Sequence, residues 1–235
     1  MLSLEHLLLG PIRTRYYGWN DDDCLLALIV SVEGPALKYF YILSSWGEEL
    51  SFPEYTDKDS CVIQFRGGDY LTGNSALPPS YYEMAMDNMR RVTNNTKLKF
   101  YVVTDDPTNA AKYVRGAEVI GSAITKEKDP YQGSIGWYKY PGGPIGIDYA
   151  ILNQAENVII SSSTFAFWPV WTNTNAENVI APKYWFDWNN SDGWWRPSEA
   201  IVDDWFWMDR TGDIDNGVEC KEQFEQYKKT NSLYS

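Results

Sequence analysis

Three stretches of this sequence end an apolar run in a cluster of polar residues suited to holding a ligand. In CVIQFRGGDY (61–70), Cys61 to Phe65 lead into Arg66, two glycines and Asp69. A guanidinium presents a planar fork of donors that suits a diphosphate. Gly67 and Gly68 can let the backbone approach a ligand closely, and Asp69 can either orient Arg66 or serve as a general base. In FYVVTDD (100–106), Asp105 and Asp106 follow an apolar run, where a carboxylate can accept hydrogen bonds from a ribose or a purine edge. Asp106 before Pro107 equally suits an ordinary helix cap. In SSSTFAFW (161–168), the hydroxyls of Ser161, Ser162, Ser163 and Thr164 precede Phe165 at the expected start of a helix. Such an end offers free N–H groups and a positive dipole to a phosphate, and capping alone needs one hydroxyl.

Other chemistries are poorly served. The single histidine, His6, lies in an apolar stretch near the start, which argues against Ser-His-Asp hydrolysis and histidine-rich zinc sites. Asp21 to Asp23 could hold a divalent cation but read better as a solvated acidic turn, so no metal site is expected. The three cysteines, Cys24, Cys61 and Cys220, form neither a disulfide framework nor a zinc pattern, which favours a reducing, cytoplasmic compartment. PGGPIG (141–146) reads as a loop. The 11 Trp and 17 Tyr crowd the last third, as core packing or as a face for stacking on sugars.

The elements around these clusters alternate. Strands are expected at 61–65, 98–103, 117–121, 157–161 and 177–182, the last closing the series. Helices are expected from a Ser80 cap, from Asp106 through Tyr113, over 146–156 and from Ser163. Tyr82, Ala85, Met86, Met89 and Val92 carry the helical period of the first. Strand–helix alternation predicts an α/β fold, a parallel sheet covered on both faces, whose ligands sit at the carboxyl ends of its strands. All three clusters fall there. The segments 24–32 and 37–46 read as a hairpin around Gly34-Pro35, and a charged peripheral helix is expected beyond about residue 212. A formal net charge of −12 argues against nucleic acid and anionic membranes as partners. No apolar run reaches the length of a membrane span, and the first residues lack the features of a signal peptide.

Taken together, these blocks resemble the family that contains the α1,2-fucosyltransferases. VIQFRGGDY resembles its His-x-Arg-Arg-Gly-Asp-Tyr motif, FYVVTDD its strand ending in Ser/Thr-Asp-Asp, and YYEMAMDNM its Tyr-Tyr helix. DYAILNQAENVIISSSTFAFWPVW with NVIAPKYWF is similar to its closing Ser-Thr and Ala-Pro-Lys blocks. The resemblance covers about residues 61–210. It implies a Rossmann-like, GT-B-like C-terminal donor-binding domain (61–211), a reduced acceptor-side region (1–60) and a C-terminal tail (212–235), either alone or within a larger protein or assembly. It implies an inverting glycosyltransferase that moves fucose from GDP-fucose, its donor substrate, to a glycan acceptor, with no obligatory cofactor or metal. Arg66 and Asp69 would be catalytic. Gln64, Gly67, Gly68, Asp105, Asp106, Ser162, Ser163, Thr164 and Phe165 would line the donor site, and Asp148 matches the acidic residue expected to start the preceding helix. Gln64 and Gly67 stand where the family has His and its second Arg. Pro169 replaces a glycine and should end or kink its helix, and the family's N-terminal Gly-Gly-Leu-Gly-Asn-Gln segment has no counterpart. The alternatives are a carbohydrate-binding module that has lost catalysis, a transferase using another nucleotide sugar, and a manganese-dependent transferase using Asp21 to Asp23.

Overall fold

A computed structural model describes residues 51–121, 143–185, 188–189 and 200–230. The expected hairpin, His6, Cys24, Asp21 to Asp23, and part of the aromatic run lie outside the described residues. Seven strands form one sheet: β1 (Ser60–Phe65), β2 (Lys99–Thr104), β3 (Glu118–Val119), β4 (Asn157–Ile159), β5 (Asn178–Pro182), β6 (Phe206–Met208) and β7 (Ile214–Asn216). Their spatial order is β3-β2-β1-β4-β5-β6-β7. All neighbours are parallel except β6 and β7. The first six positions run 3-2-1-4-5-6, the Rossmann order, with its topological switch point between β1 and β4.

Side-chain alternation sorts the strands onto two cores. Val62, Val103, Val158, Val179, Ala181 and Trp207 point to one face, whereas Cys61, Ile63, Phe65, Val102, Ile159, Ile180 and Met208 point to the other. This is the period of two expected of strands buried on both sides. The first face is covered by α5 (Gly143–Gln154), α6 (Thr164–Trp171) and α7 (Gly217–Thr230), through Ile151, Leu152, Phe167, Val170, Cys220 and Phe224. The second is covered by α3 (Pro79–Val92) and α4 (Pro107–Tyr113), through Tyr81, Tyr82, Ala85, Met89 and Ala110. Two short helices, α1 (Pro53–Thr56) and α2 (Gly68–Thr72), flank β1. Among the described residues no helix is long and apolar enough to cross a membrane.

Several expectations are corrected. The cap of α3 is Pro78 rather than Ser80, which lies within the first turn. α5 begins at Gly143, so the expected loop is helical from that residue and Asp148 sits inside the helix rather than at its start. Pro169 does not stop α6 where it stands; the helix continues to Trp171 before ending. The strand at Asn178–Pro182 does not close the series, because β6 and the antiparallel β7 follow it. Where a peripheral helix was expected, α7 buries Cys220 and Phe224 in the core. Buried Lys183 fastens this end of the sheet, its ammonium pairing with Asp215 and reaching Gln223 Oε1 at 2.8 Å. Within the aromatic run, Trp185, Trp188, Trp205 and Trp207 are all buried, so these four are core residues.

Candidate functional site

The end of β1 carries Arg66 out of the core. Its guanidinium is gripped from two sides, Nη2 by Asp69 Oδ1 at 2.9 Å and Nη1 by Asp105 Oδ2 at 2.8 Å. It also lies over the Tyr70 ring, 5.3 Å from the centroid. Asp105 is doubly engaged, since its Oδ1 accepts the Gly67 N–H at 2.9 Å. The turn after β2 is therefore bound to the turn after β1. These strands are paired through Phe65 opposite Thr104, which brings the two turns side by side.

The glycines also serve the packing of the two turns. The close approach at Gly67 is to Asp106: a Cβ on Gly67 would stand 2.5 Å from Asp106 Cβ and 2.9 Å from Phe65 Cε1. No side chain fits, which accounts for a glycine where the resembling family has its second arginine. Gly68 has φ +45°, a left-handed conformation natural to glycine. Its N–H makes a long 3.4 Å contact to Asp106 Oδ2. Asp106 caps α4 as expected, Oδ1 accepting the Asn109 N–H at 3.1 Å and Oδ2 the Asn109 side-chain amide at 2.7 Å. That side-chain bond, joined by the backbone donors of Asn109 and Gly68, outweighs slight desolvation and holds Asp106 below the usual carboxylate range.

One cleft opens at this carboxyl edge, lined by Gln64, Arg66, Val103, Thr104, Asp105, Asp148 and Phe165. Four residues singled out from the sequence as site residues thus share its wall: Gln64, Arg66, Asp105 and Phe165. Gln64 is buried, and Ser161 Oγ donates a short hydrogen bond to its Oε1 across the β1–β4 boundary. Tyr82 lies behind Ser161; burial pushes its phenol pKa up, against a smaller opposing effect of the Ser161 hydroxyl. Asp148 is buried as well, packed so tightly against Gly121 that a Cβ there would stand 2.2 Å from Oδ1.

Ser162, Ser163 and Thr164 do not line this cleft; they form the link from β4 into α6. Ser163 is the N-cap of α6 by backbone geometry, yet its side chain makes no capping bond. Its N–H instead donates to Ser161 O at 2.7 Å. Ser162 Oγ is buried without a hydrogen-bond partner. Thr164, first in the helix, is exposed. Asp69 is 70% exposed and meets the site only through Arg66. Tyr70 and Gly121 were not found from sequence, whereas Thr104 belongs to the strand-end cluster that was. Thr104 Oγ1 accepts the Asp106 N–H at 2.9 Å. The one available signal was Gly121, a glycine just beyond a strand, here at φ +75°.

Among the described residues lining the cleft, Arg66 is the one cation, and Asp105 and Asp148 are the carboxylates. A fixed guanidinium at a switch point can bind an anion and stabilise charge that grows on it. Among the described residues no cluster of three or more His, Cys, Asp or Glu side chains could hold a metal ion.

No protein-family model matches the chain, and no solved structure matches it. The sequence is similar to the O-antigen biosynthesis glycosyltransferase WbnK of Escherichia coli, with 27% identity over 150 residues. That match covers 61% of this chain and 42% of the relative, so the chain spans less than half of the protein it resembles.

Proposed function

We propose that this chain holds the nucleotide-sugar donor of an inverting glycosyltransferase. Its donor is GDP-fucose, and fucose passes to a glycan hydroxyl without an obligatory metal. The observation that carries this reading is the Arg66 guanidinium at the end of β1, fixed by Asp105 at the switch point of a Rossmann-ordered sheet. The E. coli relative supports sugar transfer as the reaction class, and the motif blocks support GDP-fucose.

In such a transfer the acceptor oxygen attacks the anomeric carbon from the face opposite the nucleotide. The bond from that carbon to the β-phosphate oxygen breaks, and its electron pair leaves with the phosphate. Arg66 then balances the charge that develops there, a contribution whose removal typically costs about a hundred- to a thousand-fold in rate. The acceptor proton passes to a carboxylate, for which Asp69 is the candidate. Gln64, fixed by Ser161, and Asp148, fixed against Gly121, supply polar contacts to the rest of the donor.

Calorimetric titration of the full chain with GDP and UDP, each with and without manganese, tests the proposal. Metal-independent GDP binding that disappears in Arg66→Ala is the expected result. A preference for UDP changes the donor. Binding of neither nucleotide, with glycan binding retained, returns the chain to a carbohydrate-binding module.

A further inference from the structure

We propose that the two carboxylates on Arg66 have different jobs: Asp105 is a fixed strut, and Asp69 is an exchangeable counter-ion displaced by the incoming diphosphate. This rests on the reading that Arg66 faces the donor's phosphates, and it adds how that site is held before the donor arrives.

The two acids are built differently. Asp105 ties Gly67 N–H with one oxygen and Arg66 Nη1 with the other, at 2.9 and 2.8 Å, so moving it breaks two bonds between the β1 and β2 turns. Asp69 holds Arg66 Nη2 through a single oxygen at 2.9 Å, three residues further along the chain, and is 70% exposed. When it lets go, its charge returns to water and no buried ion is left behind. Phosphate oxygens and carboxylate oxygens compete for the same guanidinium donors. Among the described residues lining the cleft Arg66 is the one cation, and it is paired with the carboxylates of Asp105 and Asp69. A diphosphate that approaches Nη2 takes the place of Asp69, the more loosely held of the two. Asp69 therefore scales the apparent affinity down to the fraction of time that Nη2 is free of it. Once displaced it is a carboxylate released from Arg66, the state a general base needs.

Inorganic pyrophosphate is the probe, because it has neither a base nor a ribose for Asp105 to contact. Its dissociation constant is measured by calorimetry at fixed, low ionic strength on the full chain and on Asp69→Asn, Asp105→Asn, Arg66→Ala and Asp87→Asn, with GDP run in parallel. Asp87 is a control for bulk charge, being 79% exposed and paired with Arg90 on α3. Asp69→Asn should bind pyrophosphate about two- to five-fold tighter, the range expected for removing an exposed ion pair as competitor. Asp105→Asn should bind it about ten-fold weaker or worse, as an unanchored charged hydrogen bond implies, and Asp87→Asn should match the parent. Weaker or unchanged binding by Asp69→Asn overturns the exchange, as does equal tightening by Asp69→Asn and Asp87→Asn. Because Asp69 is exposed, its variant keeps the fold and the comparison stays decisive. Binding that survives in Arg66→Ala removes the underlying reading of the site, and the inference with it.

Discussion

Replacing Gly67 with alanine probes the interlock of the β1 and β2 turns with one added methyl group. That methyl would stand 2.5 Å from Asp106 Cβ and 2.9 Å from both Asp106 Oδ2 and Phe65 Cε1. Carbon atoms prefer separations of about 3.5–4.0 Å, so the turns must part by about 1 Å. Phe65 cannot give way, being fully buried against Tyr82 and Tyr113. Asp106 is held by Asn109 and by the Thr104 hydroxyl. Overpacking of this kind typically costs about 1–3 kcal/mol, which lowers Tm by about 3–10 °C in a domain of this size. The same displacement carries Arg66 away from Asp105, and a 1 Å error in positioning can cost about a hundred-fold in function. Gly73→Ala is the matched control, because its methyl would meet Asp69 O at 3.3 Å and Ser75 Oγ at 3.8 Å. Thermal melts followed by GDP titration at a temperature where both variants are folded separate the two effects. A Gly67→Ala protein with unchanged melting and unchanged GDP affinity would refute the interlock.

Three further outcomes are expected. Asp215→Ala, which takes the paired carboxylate from the buried Lys183 ammonium and leaves it Gln223, should cost more in urea unfolding than Lys183→Met, because Asp215 can turn to water once the ammonium is gone; equal losses would contradict this. The stability that the Asp106 carboxylate adds over Asp106→Asn should be fully present above about pH 4, the ordinary carboxylate pKa. Its folded pKa lies lower, so that advantage should fade as pH drops through the folded value; denaturation of both proteins across the acid range checks the sign. Burial pushes the Cys61 thiol up and Cys220 up to about 12, so neither should be alkylated at pH 8 until the chain unfolds, as peptide mapping of native and denatured samples would reveal.

The sheet was legible because its strands are short apolar runs bounded by polar turns, and the Asp106-Pro107 start and Tyr113 end of α4 were read from local chemistry alone. Helix starts were less so. Ser80 looked like a cap, but Pro78-Pro79 fixes the entry two residues earlier, and the glycine-rich 143–146 segment is drawn into α5 by the apolar face of Ile151 and Leu152. Strands β6 and β7 escaped notice because each is three residues long and rests on tertiary pairing. At the site, residue types pointed to Arg66, Gln64, Asp105 and Phe165. The sequence could not say that Asp105 grips Arg66 across 39 positions, or that Gly67 is small enough to admit Asp106. Those facts belong to the register of β1 against β2, and periodicity along one strand does not encode it.

The most direct test of the central claim is a crystal structure of the full chain with GDP bound. The account predicts the β-phosphate on the Arg66 guanidinium at the carboxyl end of β1, with Asp105 still bonded to Arg66 and Asp69 turned away. A diphosphate bound elsewhere on the sheet, or a guanine base resting on Arg66 in its place, would contradict it.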